Sequence, residues 1–216
     1  MTYTTAIFDL DGTILDTLAD LASSVNHTLA QHEMPGRSLD EVRQALGYGM
    51  KYLIGHSVPP KTPEALIQQL LTEFKAHYAV HCMDFTAPYP GIKELLAALH
   101  RHDIGCAVVS NKGDFAVQEL IDHYFPHVFD AVVGERTGVR RKPAPDVVNE
   151  VMRGLNVTRK SCVYIGDSEV DISTAANAGT GCMSVDWGFR SRAFLIARGA
   201  SHIVSTTSEL LNAIVK

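Results

Sequence analysis

Short apolar, β-rich runs recur along this chain, and where each one stops constrains the fold more than any other feature. Residues 3–8 stop at Asp9, 104–109 at Ser110, 131–133 at Gly134, 162–165 at Gly166 and Asp167, and 182–185 at Asp186; a short run over 202–204 comes last. From the second run onward they alternate with amphipathic helical patterns. Ile92, Leu95, Leu96 and Leu99 form one stripe, and Val147, Val148, Val151, Met152 and Leu155 form another. Such alternation predicts an α/β fold, a doubly wound, Rossmann-like parallel sheet covered on both faces. Ligands of these sheets bind beyond the carboxyl ends of the strands, where Asp9, Ser110 and Asp167 fall.

The alternation breaks once, between Asp16 and about Thr86. This stretch holds no convincing strand and at least three helical patterns. Leu18, Leu21, Val25 and Leu29 stripe the first, and Ser38 with Glu41 reads as a capping box opening the second. Thr62 followed by Pro63 predicts an N-cap and first helical residue for a helix running to His81. The expected organisation is a core of residues 1–15 and 87–216 with a small α-helical cap at 16–86, hinged near Asp16 and near residues 87–91.

Composition narrows the partners. A formal charge of −5 argues against nucleic acid or an anionic membrane as the main partner. An acidic chain still binds an anionic substrate where a metal or a basic group reverses the local field. No stretch reaches the roughly eighteen uninterrupted apolar residues of a membrane span, and the first residues lack the pattern of a signal peptide. Cys82, Cys106, Cys162 and Cys182 show no CxxC spacing and read as reduced thiols. The cytoplasm is the expected location.

Four strand ends carry groups suited to phosphoryl transfer. In Asp9-Leu10-Asp11-Gly12-Thr13, two carboxylates two residues apart can enter one crevice, and Gly12 permits a sharp turn beside them. One could attack phosphorus while the other manages the leaving group's proton. Ser110 and Asn111 offer a hydroxyl and an amide for phosphate oxygens. Lys142, ahead of the stiff Pro143-Ala144-Pro145, offers a fixed cation for developing charge. Asp167 and Asp171, at i and i+4, add hard oxygen ligands to Asp9, a set suited to Mg²⁺.

Taken together, DLDGT, SNK, KPAPD and GDSEVD resemble, in order, the four motifs of the haloacid dehalogenase superfamily, and within it the phosphoglycolate phosphatase-like members. The helices between the first two motifs resemble that family's small cap. The resemblance implies Asp9 as nucleophile and Asp11 as general acid and then base, with Ser110 and Lys142 on the phosphoryl oxygens. It further implies Mg²⁺ held by Asp9, the Asp11 carbonyl and Asp167, with Asp171 orienting the metal shell. A small phosphorylated metabolite is the implied partner, 2-phosphoglycolate the implied substrate, and the chain is expected to be a monomer or homodimer. A β-phosphoglucomutase-like phosphosugar mutase, an inorganic pyrophosphatase, a phosphonatase using Lys51, and a catalytically silent phosphometabolite-binding regulator are the competing readings.

Weaker signals lie outside the motifs. Gly47-Tyr48-Gly49 resembles a cap loop of the phosphoglycolate phosphatase-like proteins, and Arg43 and Lys51 are candidate contacts for a substrate carboxylate. His77, His81 and Cys82 have metal-like spacing without a further ligand set. Trp187-Gly188-Phe189 resembles a family signature near the site entrance.

Overall fold

The computed structural model describes residues 3–216. In chain order, β1 (Thr5–Phe8) and the short β2 (Leu15–Asp16) precede four helices, α1 (Leu18–Gln31), α2 (Leu39–Gln44), α3 (Met50–Ser57) and α4 (Glu64–His81). The chain returns through β3 (Ala87–Pro88) to α5 (Ile92–Arg101), β4 (Gly105–Gly113), α6 (Asp114–Tyr124) and β5 (Ala131–Glu135). It ends through α7 (Asp146–Gly154), β6 (Cys162–Gly166), α8 (Glu169–Ala178), β7 (Gly181–Val185), α9 (Arg192–Ala197), β8 (Ile203–Val204) and α10 (Thr207–Val215).

The six-stranded sheet runs β5-β4-β1-β6-β7-β8, with every pair parallel. Its central strands β1, β4 and β6 are buried on both faces, in keeping with their near-continuous apolar runs. Ala6 and Phe8 join the apolar cluster of α5, α6 and α10, through Leu95, Leu99, Val117, Leu120, Leu210 and Ile214. Ile7, Val109 and Tyr164 face the opposite cluster, built on Val147, Val148, Val151 and Ala175. The doubly wound α/β expectation therefore holds. Strand order reverses at β1, which pairs with β4 on one side and β6 on the other. Residues following β1, β4 and β6 thus converge on one crevice.

Between β2 and β3 the chain contains only helices, and these two strands pair antiparallel as Leu15↔Pro88 and Asp16↔Ala87. Asp20 of α1, 1 % exposed, secures the return. Its carboxylate accepts from Phe85 N at 2.9 Å, Thr86 N at 2.8 Å and Thr86 Oγ1 at 2.7 Å. The Ser38–Glu41 capping box forms as expected. Three expectations need correcting. Helix α4 starts at Glu64 with Pro63 at the N-cap, because Thr62 turns its hydroxyl back to Pro59 O instead of capping. Strand β1 begins at Thr5, and β4 continues past Ser110 to Gly113 through an irregularity after Val109. No helix among the described residues is long and apolar enough to cross a membrane. All four cysteines are free.

Candidate active site

Asp9 is the first residue beyond β1, anchored by its N–H to Ile165 O at 2.8 Å. The chain then folds back at once, with Thr13 N and Ile14 N both donating to Leu10 O. Gly12 makes that turn at φ +80°, where a Cβ would run into the Asp167 carboxylate and the Phe189 ring. The tight turn puts both carboxylates of the motif at the crevice. Asp9 Oδ1 accepts from Leu10 N at 2.7 Å, and Lys142 Nζ lies 2.9 Å from it. Asp11 Oδ1 accepts from Thr17 Oγ1 at 2.7 Å and Lys112 Nζ at 2.8 Å.

Lys142 is buried among acceptors: Asp9, Asp171 Oδ1 at 2.8 Å and Tyr164 Oη at 2.9 Å. Asp171 sits at the third position of α8, and its Oδ2 accepts from Ser168 N and Oγ in a capping box. One carboxylate thereby closes the helix start and holds the lysine. Asp167 Oδ2 accepts from Phe189 N at 2.6 Å. Asp9, Asp167 and Asp171 can each present an oxygen within 4.8 Å of the others, all three side chains buried.

Three buried carboxylates facing one ammonium leave excess negative charge. Burial pushes the Asp9 carboxyl up to about 7, with Lys142 opposing and Asp171 adding to the rise. Burial, then Asp171 and Asp9, hold Asp167 well above the ordinary carboxylate range. Burial draws Lys142 down, but Asp171 and Asp9 outweigh it and keep the ammonium charged. A hard divalent cation answers this excess, and the oxygen-only donor set fits Mg²⁺.

A cavity of about 40 Å³ lies between the strand ends and the inserted helices. Asp9, Asp11, Ser110, Asn111, Lys112, Asp167 and Ser168 are among its polar lining, and Leu21, Leu46, Met50, Leu53 and Phe189 are its apolar lining. Ser110 stands where expected. Asn111 reaches the cavity wall, but its amide is committed: Nδ2 donates to Gly47 O and Lys142 O, and Oδ1 accepts from Lys142 N. It ties the lysine segment to the loop at Gly47.

Arg43 and Lys51, the candidate contacts for a substrate carboxylate, are not among the residues lining the cavity. Each is drawn to a surface acid instead, Arg43 to Asp40 at 2.7 Å and Lys51 to Glu64 at 2.7 Å. His77 stacks between His27 and His81 and bonds Ser24, while His81 pairs with Asp84. Trp187 donates its indole N–H to Thr13 O, fastening the turn after Asp11. Two cavity-lining cations went unassigned in the sequence: Lys112, inside the quoted Ser110-Asn111-Lys112, and Arg190, directly after Phe189. Their adjacency to recognised motifs is the only signal that points to them.

A family model described as haloacid dehalogenase-like hydrolase matches residues 6–185. A phosphoglycolate phosphatase of Mesorhizobium japonicum is 31% identical over 217 residues, 97% of this chain and 96% of the relative. The crystal structure of a candidate phosphoglycolate phosphatase from Lactobacillus delbrueckii subsp. bulgaricus superposes with a TM-score of 0.94 at 39% identity, covering 100% of this chain and 99% of that one. A mutant of CbbY from Rhodobacter sphaeroides, solved with xylulose-1,5-bisphosphate, gives a TM-score of 0.78 at 26% identity over 97% and 96% of the two chains.

Proposed function

Since the chain belongs to the haloacid dehalogenase-like hydrolases, we propose that it is a phosphatase that hydrolyses a small phosphomonoester through phospho-Asp9. The observation that carries this reading is the pairing of two carboxylates at one cavity with different partners: Asp9 with buried Lys142, and Asp11 with Thr17 and Lys112.

In the first step a carboxylate oxygen of Asp9 attacks phosphorus, and the bond to the leaving oxygen breaks. Asp11 gives its proton to that oxygen, so the alcohol departs neutral. In the second step Asp11 takes a proton from water as the water oxygen attacks phosphorus. The Asp9–phosphorus bond then breaks, returning the Asp9 carboxylate and releasing phosphate. Asp11 Oδ1 already accepts two hydrogen bonds, so the transferred proton is assigned to Oδ2. Lys142 and the Ser110 hydroxyl hold the non-bridging oxygens as charge develops.

Asp9, the Asp11 backbone carbonyl and Asp167 would hold Mg²⁺, with Asp171 supporting the set through Lys142 and Ser168. The bound ion would supply charge neutralisation to the phosphoryl oxygens. Residues 16–86 are proposed to act as the cap that shuts the cavity against bulk water. Its small volume and the names of the relatives favour 2-phosphoglycolate as substrate.

The test is phosphate release from 2-phosphoglycolate, pyrophosphate, β-glucose 1-phosphate and nucleoside monophosphates, with and without Mg²⁺. The Asp9→Asn variant runs alongside. Metal-dependent release abolished in Asp9→Asn is expected. Full activity in that variant overturns the mechanism, a preference for another compound overturns the substrate, and no release from any compound overturns the phosphatase reading.

A further inference from the structure

Of the residues that line the cavity from the cap, Leu46, Gly47 and Gly49 lie in the connection from α2 to α3, and Met50 opens α3. A helix that ends leaves its last carbonyls short of intrahelical donors. At the end of α2, Ala45 N answers Val42 O and Leu46 N answers Arg43 O, and a core side chain adds further donors. Arg190 Nη1 donates to Arg43 O at 2.7 Å, and Nη2 donates to Leu46 O at 2.9 Å and Gln44 O at 3.4 Å. Its Nε lies 3.2 Å from Glu169 Oε2, and the other oxygen of Glu169 accepts from Tyr48 Oη at 3.0 Å. The Arg190 side chain is only 9% exposed. A planar fork with five donors suits three diverging carbonyls as an ammonium cannot.

We propose that Arg190 is a positioning residue, a core side chain that clasps the end of α2 and so holds the loop at 45–50 against the reacting aspartates. Arg43, expected to meet substrate with its guanidinium, contributes its carbonyl to this clasp. The clasp is wired into the site. Phe189, one residue earlier, donates its N–H to Asp167, and Trp187 in the same turn holds Thr13 O. Opening the cap at Arg190 therefore loosens the segment that orients Asp167. The proposal rests on the phosphatase reading for its kinetic readout only.

The test is hydrogen exchange on the full chain without substrate, comparing the wild type with Arg190→Met and Arg190→Lys. In Arg190→Met, amides of residues 43–53 should exchange at least about tenfold faster, the loss expected for buried hydrogen bonds to a charged group. Amides of β1 and β6 should not change. Arg190→Lys, with charge but no fork, should fall between. In turnover, kcat/KM of Arg190→Met for 2-phosphoglycolate should fall about tenfold more than for p-nitrophenyl phosphate, whose bulkier leaving group depends less on a fully shut cap.

Unchanged exchange over 43–53 in folded Arg190→Met overturns the clasp. Should Arg190→Met not fold, faster exchange confined to 43–53 in Arg190→Lys supports it and unchanged exchange there overturns it. Equal losses for the two substrates would leave Arg190 a structural residue and overturn its positioning role. A protein that releases no phosphate at all would sink the phosphatase reading, while the exchange data still decide the clasp.

Discussion

Lys142 and Asp171 form an ion pair of 2.8 Å in which neither side chain is more than 2% exposed. The same lysine lies 2.9 Å from Asp9. A charge pair this deep is expensive to desolvate and contributes little net stability. Its consequence is directional: Asp171, with Tyr164, pins the ammonium beside the proposed nucleophile.

Replacing Asp171 with Asn should keep the shape and part of the bonding to Ser168 while removing the charge that holds Lys142. A turnover loss of roughly 10- to 100-fold is expected, the range found for outer-shell partners. Steady-state kinetics across a Mg²⁺ titration measures it. Unaltered kcat and Mg²⁺ dependence would show that Asp171 serves only to start α8.

The raised Asp9 carboxyl has a sign that can be worked out. Unfolded, Asp9 loses its proton near the ordinary 3.8; folded, it keeps it up to about 7. Between those values the native state binds more protons than the unfolded one, so stability falls as pH rises. Thermal unfolding in EDTA should therefore show a Tm that declines from about pH 4 to pH 7. Asp9→Asn should flatten the decline, and Mg²⁺ should raise Tm most above pH 7. A Tm that climbs with pH over this window would contradict the carboxylate crowding.

Lys112 is buried, with its ammonium 4.6 Å from the centroid of the Tyr78 ring and 2.8 Å from Asp11. Lys112→Met should preserve much of the packing and remove the charged hydrogen bond that orients Asp11. A fall in kcat of about ten- to hundredfold is expected, with a smaller change in KM. A change confined to KM would assign Lys112 to substrate binding instead.

Asp20 gathers three donors from Phe85 and Thr86 at the cap's return strand. Asp20→Ala leaves them unanswered in a buried position and should destabilise the fold by about 2–4 kcal/mol. Urea unfolding checks this. A midpoint indistinguishable from the wild type would mean that water replaces the carboxylate.

The parallel sheet was legible because its central strands are buried on both faces and therefore read as unbroken apolar runs. The carboxylates at Asp9, Asp11 and Asp167 were legible because each follows such a run. The ribbon of β2 and β3 was not. Two-residue strands are too short to show a period, and Pro88 argues against a strand unless it lies on an edge. The surface pairing of Arg43 and Lys51 was not legible either: charge is visible in a sequence, but the direction of a long side chain is not. Asp40, one helical turn from Arg43, and Glu64, at the start of α4, hold both cations outside the cavity. Lys112 shows the converse. The irregular stretch of β4 between Val109 and Gly113 sets where its ammonium emerges, and no pattern of residue types encodes that bend.

The pairing of Leu15 with Pro88 makes the whole helical insertion, topologically, the loop of one β-hairpin. Its two ends are fastened side by side where the chain leaves β1, so the insertion can change length or shape without shifting the register of β1 against β4 or β6. The stem is also where the insertion meets the motif, since Thr17, directly after β2, donates to Asp11 at 2.7 Å.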